Sequence, residues 1–372
     1  MHPILVNTPV ITQADRDAVD ACMAAGWVSS EAPHVSLFEQ AFADYCGRQH
    51  GIAVSSGTAA LDVAVRALDL GPGDEVLVPS MTIISCASSI VASGATPVPV
   101  DCDPLDWNAH LQHFQEKFTP RTRAVILVHI YGLCADIDPI LDWAKSNELL
   151  VIEDASQAIG LKYRQRPCGS HGHCSVFSLY ANKLITAGEG GVVVTDDPII
   201  EERCRQYRNL CFNDEKRFWH HELGWNYRMT AMQAALALSQ LQRVEELVST
   251  KRAMGERYRS ALAELREFAT APEQTSYCSN IYWVFGLVVK PNAGFSREEI
   301  ISHLASRQIG TRTFFYGLHE QPALLNGKIP AGQSLSATQE LSSGGFYLPS
   351  GLGLTEEDQN IVIDCVLEFV AQ

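Results

Sequence analysis

Short apolar runs and helix-spaced segments alternate along the first half of the chain, and this alternation restricts the fold more than any other feature. The runs fall at 52–55, 76–78, 97–100, 124–130 and 149–152, with two more at 175–179 and 192–195. Helical spacing separates them at 59–68, 82–92 and 137–146, and residues 114–118 lie near the end of another helix. A strand with one wet face alternates polar and apolar residues. These runs are apolar almost throughout, which means burial on both faces. Strands of that kind joined by helices build a mostly parallel α/β sheet covered on both sides. Ligands of such sheets collect beyond the carboxyl ends of the strands. Ser56-Gly57-Thr58, the segment 80–83, Asp154 and Ser178 all fall at predicted strand ends.

Two helices precede the first strand. One spans 13–25, amphipathic through Val19, Cys22 and Met23, and stops at Gly26. The second is predicted to open with a capping box of Ser36 and Glu39, to bury Phe38, Phe42 and Tyr45, and to stop at Gly47. From Thr230 to about Leu265 two long helical stretches with few breakers form a spine leading to a smaller α+β layer. That layer has strands at 282–289 and 309–315, a helix capped by Ser296 with Glu299, and a last helix from near Thr355. A length of 372 residues suits two domains, predicted as 1–245 and 246–372.

The charge balance, 28 basic against 43 acidic residues for a net −15, argues against nucleic acid as a partner. No apolar run reaches bilayer-spanning length, and the N-terminal residues carry no signal-peptide pattern. Eleven scattered cysteines without a CxxC pair indicate reduced thiols in the cytoplasm rather than disulfides or zinc. His171, His173 and the pair His220–His221 have no cysteine or carboxylate set at ligand spacing, so they read as loop histidines and no metal is predicted. No GxGxxG follows a strand, which leaves a dinucleotide fold unsupported.

The chemistry concentrates between residues 150 and 197. One strand delivers Glu153 and Asp154 at its end; the next delivers Ser178 and then Lys183, followed by Gly188, Gly190 and Gly191. Taken singly, a strand-end aspartate is a common cap and a lysine after a strand is usually solvated. Together, in this order, they match what a pyridoxal phosphate (PLP) enzyme needs. The lysine amine forms the Schiff base, and the carboxylate pairs with the pyridinium nitrogen so that the ring stays an electron sink. Ser56-Gly57-Thr58 supplies an anion site at a helix N-terminus, although a glycine loop with a threonine cap would look the same.

With these residues in place, the chain closely resembles the DegT/DnrJ/StrS-type sugar aminotransferases. The matching segments are GWVSS, SSGTAALDVAVRAL, GPGDEVLVPSMT, GATPVPVD, TRAVILVHIYG, IEDASQAIG, FSLYANKLITAGEGG, GWNYRMTAMQAA and TRTFFYGLH, spread over nearly the whole length. The resemblance implies the aspartate aminotransferase-like fold (fold type I), with a mostly parallel seven-stranded central sheet and a smaller C-terminal α+β domain. It implies that Lys183 is the Schiff-base lysine and acid/base, that Asp154 pairs with the pyridinium nitrogen, and that Gln157 lies near the ring's phenolic oxygen. Gly57, Thr58 and Ser178 match phosphate-binding positions, and Ile83 stands where many members place an aromatic over the ring face. Asn226 matches the asparagine that reaches the neighbouring subunit's cofactor, so a homodimer with shared active sites is implied. Arg228, Arg312, His319 and Ser29 match positions near the substrate.

The implied reaction moves the amino group of L-glutamate to a keto or aldehyde sugar used for surface polysaccharide (LPS or O-antigen). Two acceptors stand level. WVSS, GWNYRMT, IYW and TRTFFYGLH resemble the perosamine synthase branch, which aminates GDP-4-keto-6-deoxymannose. The TIISC stretch, 82–86, resembles the branch acting on 8-oxo-3,8-dideoxy-manno-octulosonate, which carries no nucleotide. Ile83, Gly317 in place of a usual proline, and YRNLCF depart from the perosamine pattern. A non-catalytic PLP-binding regulatory or structural relative is the alternative; it should lack Arg228 and Arg312, and both are present.

Overall fold

The computed structural model describes residues 2–212, 215–272 and 274–371. Its centre is a seven-stranded sheet. In chain order the strands are β1 (His50–Val54), β2 (Glu75–Pro79), β3 (Thr96–Val100), β4 (Thr122–Val128) and β5 (Leu150–Asp154). After a two-stranded hairpin of β6 (Lys162–Tyr163) and β7 (Arg166–Pro167) come β8 (Cys174–Ser178) and β9 (Gly191–Thr195). The spatial order is β1-β9-β8-β5-β4-β2-β3. Pairing is parallel from β3 through β8, and only β9 runs against its two neighbours, β8 and β1. The sheet is therefore mostly parallel.

Side chains alternate between the two faces, and each face has its own core. Val125 and Leu127 of β4, Val151 of β5, Phe177 of β8 and Ala53 of β1 enter one core with Phe38 and Phe42. Ala124, Ile126 and Val128, Ile152, Val176, and Ile52 and Val54 enter the other, under the helices Gly57–Ala67 and Ser85–Ser93. The same parity sorts the polar residues at the strand ends. Glu153 shares the face of Val151, whereas Asp154 and Ser178 share the face of Ile152 and Val176.

A second sheet, in the order β10-β11-β13-β12, comprises β10 (Ala269–Thr270), β11 (Phe285–Val289), β12 (Arg312–Thr313) and β13 (Gly345–Leu348). It packs with the helices Arg297–Ser306 and Glu356–Val370 around a third core, to which Ile4 also belongs. The helix Val244–Ala261 joins the two regions: Val244, Leu247 and Val248 lie in the first core, Met254 and Tyr258 in the third.

Several local expectations need correction. The helix Pro33–Cys46 has Ala32 at its N-cap and Pro33 in its first turn, so Ser36 is interior and bonds back to the Pro33 carbonyl. Glu39 does not close a capping box. It is buried, accepts from the Ala53 amide at 2.8 Å and pairs with Arg205 and Arg208. A proline at the first helical position opens a helix without a side-chain cap. The helix expected at 82–92 begins only at Ser85, leaving 82–84 as an irregular strand-to-helix turn. The strand expected at 309–315 reduces to Arg312–Thr313, and that at 282–289 begins at Phe285. Both are shorter than expected because their flanking residues pack elsewhere: Tyr282 enters the third core, Leu318 the second, and Trp283 and Phe315 line the cavity. The helices Pro198–Arg208 and Ser336–Gly344 have no counterpart among the predicted elements.

Candidate active site

A cavity of about 320 Å³ opens at the carboxyl ends of β1, β5 and β8 and is closed on its other side by the second sheet. Its walls include Gly57, Thr58, Ile83, Asp154, Gln157, Ser178, Lys183 and Arg312, eight of the residues singled out in the sequence.

The anion end is built by the helix Gly57–Ala67. Ser56 caps it, its hydroxyl accepting from the Ala59 amide at 3.1 Å. The first-turn amides of Gly57 and Thr58 have no intrahelical acceptor, and the positive end of the helix dipole points the same way. Ser178 crosses beside them so closely that a Cβ on Gly57 would lie 2.8 Å from the Ser178 Cβ. Only glycine leaves room for that approach. The Thr58 and Ser85 hydroxyls share a hydrogen bond of 2.8 Å.

Asp154 projects from the end of β5 and is 2% exposed. Its Oδ1 accepts from the Ser156 amide at 3.0 Å and its Oδ2 from the Cys86 thiol at 3.2 Å. Gln157 is held by the Tyr131 amide, which donates to Oε1 at 2.6 Å, so the end of its side chain left for a ligand is the NH2 donor.

Lys183 is half-buried, and loss of solvent around its amine pushes it down to about 8 although the nearby Asp154 charge opposes the shift. Its Nζ lies 4.1 Å from the centroid of the Trp283 ring. Trp283 donates its indole N–H to the Asn182 carbonyl at 2.8 Å and stacks on Tyr131, which stacks in turn on Phe315. A lysine amine poised close to neutrality, a buried carboxylate, a phosphate-sized nest of amides and an amide donor form the set that PLP requires. The residues fit that group on geometry alone.

Other residues singled out in the sequence lie elsewhere. His319 is buried beneath the cavity, its Nδ1 2.8 Å from the Ser80 hydroxyl, and burial lowers its pKa. It pins the segment after β12 onto the end of β2. Arg228 donates to Asn209 Oδ1 at 2.7 Å and lies outside the cavity, while Asn226 and Ser29 are exposed on its outer surface. Glu153, one residue from Asp154, faces the opposite core. There His129, the Gly169 and His171 amides and Ser175 all donate to it, holding it down to about 2 against the upward push of burial. His129, Glu153 and Cys168 could be taken for a metal triad, but both carboxylate oxygens already have two donors each. Of the loop histidines, His171 is buried and His173 accepts from the Val151 amide.

Sequence reasoning missed Trp283, Tyr131, Phe315 and Tyr347 as an aromatic wall, and Cys86 as a partner of Asp154. Tyr and Trp are good strand formers, so nothing in the local pattern distinguished Trp283 from the strand expected at 282–289.

The sequence matches the DegT/DnrJ/EryC1/StrS aminotransferase family over residues 9–367. It is 39% identical over 360 residues to a GDP-perosamine synthase of Caulobacter vibrioides, covering 97% of this chain and 96% of that protein. It is 34% identical over 369 residues to the GDP-perosamine synthase of Escherichia coli O157:H7, covering 99% of each. The crystal structure of S. venezuelae DesV in complex with a ketimine intermediate superposes with a TM-score of 0.89 at 33% identity, over 96% of this chain and 94% of that one. The fold is thus that of the PLP sugar aminotransferases, fold type I. The chain belongs to the DegT/DnrJ/EryC1/StrS family and is a PLP-dependent sugar aminotransferase.

Proposed function

We propose that the protein transfers the amino group of L-glutamate to GDP-4-keto-6-deoxymannose, giving GDP-perosamine for surface polysaccharide. The observation that carries this reading is the near full-length similarity to GDP-perosamine synthases, supported by a cavity that brings Asp154, Gln157, Ser178 and Lys183 together. PLP, when bound, supplies the electron sink that lets an amino group pass from one carbon skeleton to another. Gly57, Thr58 and Ser178 would hold its phosphate, Asp154 its ring nitrogen and Gln157 its phenolic oxygen. Lys183 Nζ takes the proton from the donor's Cα and later returns one to the acceptor carbon, a role suited to an amine titrating near 8. Arg312 lines both this cavity and an adjoining cleft of about 510 Å³, walled by Thr313, Tyr316 and Gln321. A substrate with a second, anionic part would extend there.

Asn226 is exposed on one chain, as expected of a residue that serves the second site of a homodimer. Phe218, Trp219 and Leu223 nearby are 80%, 62% and 87% exposed, an apolar surface suited to a subunit contact. All eleven cysteines are free thiols, consistent with a cytoplasmic enzyme. No helix among the described residues is long and apolar enough to cross a membrane.

One feature favours 8-oxo-3,8-dideoxy-manno-octulosonate as a second candidate acceptor. Ile83, within the TIISC stretch, contributes an aliphatic surface to both cavity and cleft. Spectroscopy separates the candidates: glutamate should bleach the visible band of bound PLP, and the true acceptor should restore it. Restoration only by the octulosonate would overturn the perosamine reading, and no response to glutamate would overturn the donor. Lys183→Ala should abolish turnover while retaining some cofactor; normal turnover would refute its assignment.

A further inference from the structure

Asp154 has two protein partners, and one of them is unusual. The Ser156 amide on Oδ1 is a local turn contact, two residues along the chain. The Cys86 thiol on Oδ2 comes from 68 residues away, on the first turn of the helix Ser85–Ser93. Both side chains are buried, Cys86 completely. Burial first, and the Asp154 charge second, hold the thiol well above its ordinary range, so it is an S–H donor and not a thiolate. Thr82 Oγ1 lies 3.7 Å from the same sulfur. The Cys86 amide donates to the Ile83 carbonyl at 3.3 Å, which fixes the thiol's backbone in the turn that also places Ile83 in the cavity.

An ionised carboxylate offers about four acceptor positions. Two are filled by these donors, which sets the plane of the group and leaves its remaining lone pairs for a ligand. The one charged group among the described residues whose interaction with Asp154 bears on the site is Lys183, whose protonated amine the carboxylate favours but to which it makes no hydrogen bond. Orientation therefore rests on two neutral donors, of which the thiol is the only side chain.

We propose that Cys86 is a positioning residue for the cofactor ring: its S–H orients the Asp154 carboxylate that receives the pyridine nitrogen. The inference rests on the assignment of Asp154 to that nitrogen. A thiol is a weak donor, so it aligns the carboxylate without drawing much of its negative charge away from the ring. A hydroxyl at the same place aligns it too; an alkyl group does not.

The test compares full-length wild type with Cys86→Ser, Cys86→Ala and the volume-keeping Cys86→Val. Each is stripped of cofactor and titrated with PLP and with its 1-deaza analogue, in which C–H replaces the ring nitrogen. A lost hydrogen bond to a charged group should weaken PLP binding about tenfold in Cys86→Ala and Cys86→Val, with Cys86→Ser within about threefold of wild type. The deaza analogue should bind wild type and all three variants alike, since its ring has nothing for Asp154 to hold. Equal losses for PLP and the analogue would mean a packing role and overturn the proposal, as would undiminished PLP binding by both alkyl variants. If wild type itself did not prefer PLP to the analogue, the Asp154 assignment would fall and the proposal with it.

Discussion

Lys183 is neutral in the folded protein at a pH where a free lysine is charged, so replacing it should change how stability depends on pH. Take Lys183→Met, which keeps the alkyl stem and removes the amine, in cofactor-free protein. The folded amine titrates near 8 against an ordinary 10.5. Below pH 8 both states are protonated and burial of the charge costs the fold about 3 kcal/mol, at 1.36 kcal/mol per pH unit. Between 8 and 10.5 the unfolded chain binds the proton and the folded one does not, so stability rises with pH until the cost disappears. The Trp283 ring 4.1 Å from Nζ returns about 0.5–2 kcal/mol of the cost while the amine is charged. Lys183→Met should then be more stable than wild type by about 1–3 kcal/mol at pH 7, with the advantage shrinking towards zero by pH 10.5. Urea unfolding of both proteins at fixed concentration from pH 6.5 to 10.5 measures it. A stability difference that does not vary with pH would refute the argument, whatever its size at pH 7.

Other residues carry equally direct expectations. Gly57→Ala places a Cβ 2.8 Å from that of Ser178, so the phosphate nest should open and PLP affinity fall about tenfold, measured by absorbance titration; unchanged affinity would count against the nest. Gly317 has an ordinary φ of −54°, so only space forbids a side chain there: its Cβ would meet the His319 ring at 2.6 Å and the Thr338 methyl at 2.9 Å. Gly317→Ala should cost about 1–3 kcal/mol in wild type and less in a His319→Ala background, where the contact with the Thr338 methyl remains; additive losses would show that Gly317 and His319 do not compete for space. Glu153→Ala strands four buried donors and should cost about 3–5 kcal/mol in denaturant unfolding. The Glu153 carboxylate is held down to about 2, so its contribution is complete above the ordinary 4.5 and is lost as pH falls from there towards 2. The gap between wild type and Glu153→Gln should close over that acid range, and a constant gap would count against it.

Much of the site was legible because it lies where strands end. Asp154 and Ser178 follow apolar runs, and Lys183 follows within five residues, so a parallel sheet brings them together whatever the details elsewhere. Ser56-Gly57-Thr58 left an alternative open in the sequence; the structure adds that Ser178 crosses close over Gly57, which only glycine allows. The capping box at Ser36 failed because Pro33 starts that helix earlier, which frees Glu39 to bind the Ala53 amide and two arginines. Arg312 was expected in a strand at 309–315, of which only Arg312–Thr313 pairs, while Phe315 beyond it lines the cavity.

The sequence by itself determined the layered sheet, since runs of uninterrupted apolar residues have no stable place except between two covering layers. It also determined the pair Lys183 and Asp154, because strand ends converge in such a sheet. Only the tertiary structure decided what surrounds that pair. Trp283 meets Lys183 across 100 residues, Cys86 meets Asp154 across 68, and His319 meets Ser80 across 239. Those contacts arise from the strand order β1-β9-β8-β5-β4-β2-β3 and from how the second sheet sits against the carboxyl ends of its strands. Neither is written in any local pattern, because periodicity reports which face a residue presents and not which distant segment arrives to meet it.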